Sequence, residues 1–140
     1  MMRKLDQRGV AALEFCLVAM PLFALMFVIF DLGRYAITIQ SLQMLANAEA
    51  RANMINCYTV AKVINNTSPS ACTGDYLSPS QKQTVAPLVS GATVSTTAGT
   101  GTLTVTASLP SCGTPPCFSM LMPIWGIVLN APSASTSIPF

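Results

Sequence analysis

The chain contains no histidine, which removes Ser-His-Asp and Cys-His catalysis and all imidazole metal ligation. Charge is scarce: 9% of the 140 residues are Asp, Glu, Lys or Arg, against roughly 25% in an ordinary soluble domain. Three of the seven basic residues (Arg3, Lys4, Arg8) fall in the first eight positions, and from residue 9 onward four basic residues face four acidic ones. That balance leaves no basic field to neutralise phosphates, so nucleic acid is excluded as a partner. Beyond residue 35 the acids are Glu49, in a helical pattern, and Asp75, in a loop pattern. Neither suggests a paired-carboxylate site, and no glycine-rich phosphate loop is present. These absences argue against an enzyme and call for no cofactor.

What is present is apolar. Hydrophobic residues make up 51% of the chain and the mean hydropathy is +0.55. Between Val10 and Phe30, 19 of 21 residues are apolar, the exceptions being Glu14 and Pro21. As a helix this stretch is roughly 31 Å long, about the thickness of a bilayer's hydrocarbon core. The basic N-terminus in front of it predicts a cytoplasmic start and export of everything beyond residue 30. A cleaved secretory signal fits poorly: the run is too long, ends in bulky Val28-Ile29-Phe30, and has no small-x-small site close behind it.

Glu14 is costly in such a segment. One reading puts it near enough the cytoplasmic face to reach headgroup water. The other starts from Gly9: a cut after Gly9 gives Val10 a new α-ammonium group, and Glu14, now fifth in the chain, gains a counter-ion from its own chain or a neighbour. Pro21 removes a helical hydrogen bond and predicts a kink; Cys16 reads as a small hydrophobe.

The string Arg8-Gly9-Val10-Ala11-Ala12-Leu13-Glu14-Phe15-Cys16-Leu17-Val18-Ala19-Met20-Pro21-Leu22-Phe23, with Asp31-Leu32-Gly33-Arg34-Tyr35 after it, resembles the processing region of type IV pilin-like precursors, and within them the TadE-like family. TadE-like proteins are minor pilins or pseudopilins of the tight-adherence (Tad, Flp pilus) system. This chain departs from their pattern at Cys16, where alanine is usual, and by an extra Met20 before the proline. The resemblance implies removal of residues 1–9 by a prepilin peptidase. It also implies membrane-embedded assembly with other Tad pilins and an inner-membrane platform, with lipid around the helix. The competing reading is an uncleaved single-pass anchor that presents a protein- or ligand-binding domain.

After Gly33, apolar residues recur at Tyr35, Ala36, Ile39, Leu42, Leu45, Ala46, Ala48, Ala52 and Ile55. That spacing is helical and predicts one helix to about Val63, with an intramolecular core along the stripe. Asn65-Asn66-Thr67-Ser68-Pro69-Ser70 ends it, and a short helical or irregular stretch follows near Ser80 to Ala86. Period-two alternation around Ala98-Gly99-Thr100-Gly101 predicts a β-hairpin over 92–109. A third extended segment is expected near Ile127 to Ser135, with a frayed tail from Pro132.

Four cysteines lie beyond the apolar run, and an even count in an oxidising compartment predicts disulfides, with three possible connectivities. Locality favours Cys57–Cys72 and Cys112–Cys117. A four-cysteine zinc site fits less well, because 14 residues intervene in the first pair. The apolar segment 118–130 is too short to span a membrane and reads as buried core or as a docking patch. The expected fold class is α+β. A leader (1–9), a membrane helix (10–30) and its exported continuation (31–63) carry a small disulfide-stabilised domain (64–140) with about three antiparallel strands.

Overall fold

The computed structural model describes residues 7–110 and 131–140. A single helix, α1 (Gln7–Asn53), runs for 47 residues. Its Ala-, Leu- and Met-rich sequence favours the helix throughout, and it continues unbroken on both sides of Pro21 and through Gly33. The helical path then widens into two π-helical turns, Met54–Tyr58 and Val60–Ile64. Thr59 marks the wider pitch: its N–H and its hydroxyl both donate to the Met54 carbonyl five residues back, the hydroxyl at 2.6 Å. Helical structure thus ends at Ile64, beside the expected Val63. Asn66 then turns the chain with a φ of +49°, a left-handed conformation that asparagine tolerates better than most residues. The π turns were not expected, and composition does not announce them.

The middle of α1 is the floor of a small domain. Leu42, Leu45, Ala46 and Ala50 are buried at spacings of three and four residues, which puts them on one face. Against them lies an antiparallel sheet of β1 (Thr93–Ala98), β2 (Thr102–Ser108) and β3 (Ser133–Pro139), in that order. One cluster joins Leu42, Leu45 and Ala46 to Val89, Ala107 and Leu109; a second joins Ala50 and Cys72 to Leu103, Val105 and Ile138. Each buried Leu, Val or Ile contributes about 1.5–3 kcal/mol, so the domain's stability rests on few side chains. The expected stripe is only partly internal, since Ile55 at its far end is 71% exposed.

The hairpin forms where the alternation predicted it. Gly101 has a φ of +75°, which suits the last position of a three-residue hairpin loop. A short helix, α2 (Pro79–Val85), opens with a capping box in which the Ser78 hydroxyl accepts from Gln81 N–H and the Gln81 side chain accepts from Ser78 N–H. The third strand requires a correction. The tail expected to fray is itself β3, pairing in register with β2 from Ser108↔Ser133 to Thr102↔Pro139. Ala134 and Ile138 point into the core and hold it there, while prolines stand at the strand's limits, where an edge strand accepts them. Residues 127–130 of the expected segment lie outside the described residues.

Candidate functional site

The N-terminal part of α1 contacts almost nothing in its own chain. Leu13, Phe15, Leu17, Val18 and Met20 are each at least 65% exposed, and the most apolar window of the helix has a mean hydropathy of 2.5 with none of it buried. Water does not sustain so continuous an apolar surface. This segment is long and apolar enough to serve as a single-pass membrane anchor. Gly9 and Val10 lie in the first turns of α1, and Glu14 follows Val10 by one helical turn. Helical side chains lean toward the N-terminus, so the Glu14 carboxylate projects over the turn that begins at Val10. Among the described residues it meets no hydrogen-bond or ion-pair partner. Pro21 lies about two turns beyond Glu14 along the same exposed region, and Cys16 is exposed and unpaired. At the far end of this apolar stretch the surroundings change: Asp31 is buried to 1% exposure.

A second polar constellation sits inside the domain. Glu49 follows Leu45 on the buried face and is itself 0% exposed. Its Oε1 accepts the Tyr76 N–H at 2.7 Å and its Oε2 accepts the Leu77 N–H at 3.1 Å. Asp75 Oδ1 accepts from the same Leu77 N–H at 3.3 Å, and Asp75 pairs with Lys82 of α2. The helix carboxylate therefore grips the loop that leads into α2. Burial pushes the Glu49 carboxyl above its ordinary range; the Tyr76 N–H opposes this, and the nearby Asp75 adds to the rise. One turn on, Asn53 is also buried and donates from Nδ2 to the Cys72 carbonyl at 2.8 Å, while its Oδ1 has no partner among the described residues.

Sequence reasoning gave Glu49 and Asp75 no connection; the fold brings Glu49 of α1 and Asp75 of the loop to the same Leu77 N–H. The signal was the spacing: Glu49 and Asn53 continue the buried series Leu42, Leu45, Ala46. Both carboxylates are engaged in holding backbone and lysine. Among the described residues no group of His, Cys, Asp or Glu is arranged to hold a metal.

Cys57 and Cys72 form a disulfide across a Cα–Cα distance of 5.7 Å and a separation of 15 residues, as locality favoured. It fastens the first π-helical turn to the loop behind Pro69. The other expected pair, Cys112 and Cys117, and the apolar segment 118–130 lie outside the described residues.

Residues 9–51 match the model of the TadE-like protein family. The match starts at Gly9, takes in the whole anchor, and ends on the sheet-packed part of α1 just before Asn53. No curated protein and no solved structure matches the chain. The family match supports a Tad pilus-associated protein.

Proposed function

We propose that this chain, TadE-like over residues 9–51, is a minor pilin or pseudopilin that acts as a structural or assembly subunit of a Tad-type pilus. A prepilin peptidase cuts after Gly9. The new ammonium of Val10 and the carboxylate of Glu14 then pair within one chain or between neighbours as the apolar helices pack. The observation that carries this reading is Glu14 itself, an acid without a partner among the described residues, one turn from Val10 on an exposed apolar helix. An unpaired carboxylate in hydrocarbon is far costlier than a paired one.

Orientation follows from the same physics. Arg3, Lys4 and Arg8 keep the N-terminus cytoplasmic, and the sheet domain then lies outside the inner membrane. The Cys57–Cys72 bond supports that side, because disulfides persist in oxidising compartments. The role is structural, and the partners are other Tad pilins, the assembly platform and lipid.

Intact mass of the protein purified from its native host tests the reading. Loss of residues 1–9 is expected, and E14A inserts into the membrane but fails to enter the pilus. Retention of the leader in a host with an active prepilin peptidase identifies instead an uncleaved anchor presenting its domain to another envelope component.

A further inference from the structure

The outer face of the sheet is made almost wholly of hydroxyl side chains. The register stacks them in three complete rungs: Thr93, Ser108 and Ser133; Ser95, Thr106 and Ser135; Thr97, Thr104 and Ser137. Their alternating neighbours, Leu103, Val105, Ala107, Ala134 and Ile138, are the ones buried against α1. No charged or aromatic side chain interrupts the rungs. High β-propensity explains threonine on a half-buried pleated surface. It does not explain the serines of β3, which are poorer strand formers.

The strands differ in how many hydroxyls they tie down, although Ser95 of β1 is exposed and makes no hydrogen bond among the described residues. On β1, Thr93 Oγ1 donates to the Ser108 carbonyl at 3.1 Å and Thr97 Oγ1 to the Thr104 carbonyl at 3.4 Å. The loop carrying Gly74 lies alongside β1, where its carbonyl accepts from Thr96 Oγ1. The hydroxyl residues of β2 are half-buried between their neighbours. On β3, Ser133, Ser135 and Ser137 are exposed, and among the described residues their hydroxyls make no hydrogen bond within the chain. The outer edge of β3 opens on a groove that also borders Asn47, Arg51 and Met54 of α1. Among the described residues no strand pairs with the outer edge of β3, the side from which peptide-binding enzymes approach extended segments.

The local sequence, Pro132-Ser133-Ala134-Ser135-Thr136-Ser137-Ile138-Pro139, has the Ser/Thr-with-Pro composition of segments that carry O-linked sugars. We propose that β3 is an O-glycosylation acceptor, with Ser133, Ser135 and Ser137 as its sites. The inference rests on the exported orientation given above. In the step, a serine Oγ attacks the anomeric carbon of a diphosphate-activated sugar. The carbon–oxygen bond to the diphosphate breaks, the diphosphate leaves with the electron pair, and the hydroxyl proton passes to a base on the transferase. The product is an O-glycosidic acetal, and no atom changes oxidation state. A physical benefit accompanies it. An uncharged strand whose outer backbone groups are unpaired among the described residues invites pairing with another chain, and a bulky neutral sugar blocks that pairing.

The test uses the full chain purified from its native host, analysed by intact mass and by fragmentation that preserves side-chain modifications. The expected result is a mass above that of the polypeptide by whole sugar residues, mapped to β3. S133A/S135A/S137A then returns the mass to that of the bare chain while circular dichroism is unchanged, because all three side chains point outward. Sugar mapped only elsewhere overturns the proposal. A bare wild-type chain overturns it too, and protease protection separates the causes. If the sheet domain is outside the inner membrane, the acceptor proposal alone fails; if it is cytoplasmic, the export reading fails with it.

Discussion

Leu17 and Leu45 belong to one uninterrupted helix, yet the first is 71% exposed and the second 0%. The acids divide the same way. Glu14 stands on the bare stretch, whereas Glu49, fully buried, accepts two backbone N–H groups. The first half of α1 is apolar toward an outside medium and the second half is apolar toward its own sheet. Similar residues thus serve as anchor in one half and as domain core in the other, and what separates them is which chain segments lie beside them.

The comparison breaks most readily at the leucines. Leu45→Ala should cost about 2.7–5 kcal/mol of domain stability in urea unfolding of the detergent-solubilised protein. Leu17→Ala should leave the midpoint nearly unchanged, and equal losses would erase the distinction between the halves. Next in size, Cys57→Ser with Cys72→Ser should cost about 3 kcal/mol, whereas Cys16→Ser on the anchor should cost nothing measurable in the same assay.

The acids sharpen it further. Glu49→Gln replaces one acceptor oxygen by a donor facing a loop N–H and should cost about 1–3 kcal/mol. It should also change the pH response. Because burial raises the Glu49 carboxyl in the folded state above its unfolded value, the folded chain binds this proton more readily. Its contribution to stability is then full below the unfolded pKa and is lost as pH rises through the folded one. The variant should lack that fall on the alkaline side of the ordinary carboxylate range, read as unfolding midpoints across a pH series. On the domain side the smallest effect belongs to Ile55→Gln, within about 0.5 kcal/mol, since this end of the helical stripe lies outside the core.

Much of this was legible because it is local. The apolar run, the Asn-rich helix end and the hairpin glycines each carry their cause within a few residues, and Cys57 pairs with Cys72, the next cysteine along the chain. Glu49 was not legible as a loop holder because its partners are backbone N–H groups at Tyr76 and Leu77, which any residue presents. The strand at the C-terminal side was obscured by its polar outer face and flanking prolines, although Ala134, Thr136 and Ile138 alternate correctly. The π-helical turns had no signal, because one more residue per turn changes the pitch without changing the composition. At the anchor, the resemblance carried Gly9 and Glu14, and helical spacing alone supplies their adjacency.

The continuity of α1 makes the molecule a lever. Its 47 residues form a rod roughly 70 Å long. A change in bilayer thickness alters the tilt of a membrane helix, and a rotation of about 10° about the inner end swings Asn53 sideways by roughly 12 Å. The sheet rides on that arm. On the proposed reading of the apolar half as a membrane anchor, lipid composition sets where the domain sits relative to the bilayer, because α1 continues from one to the other without a break.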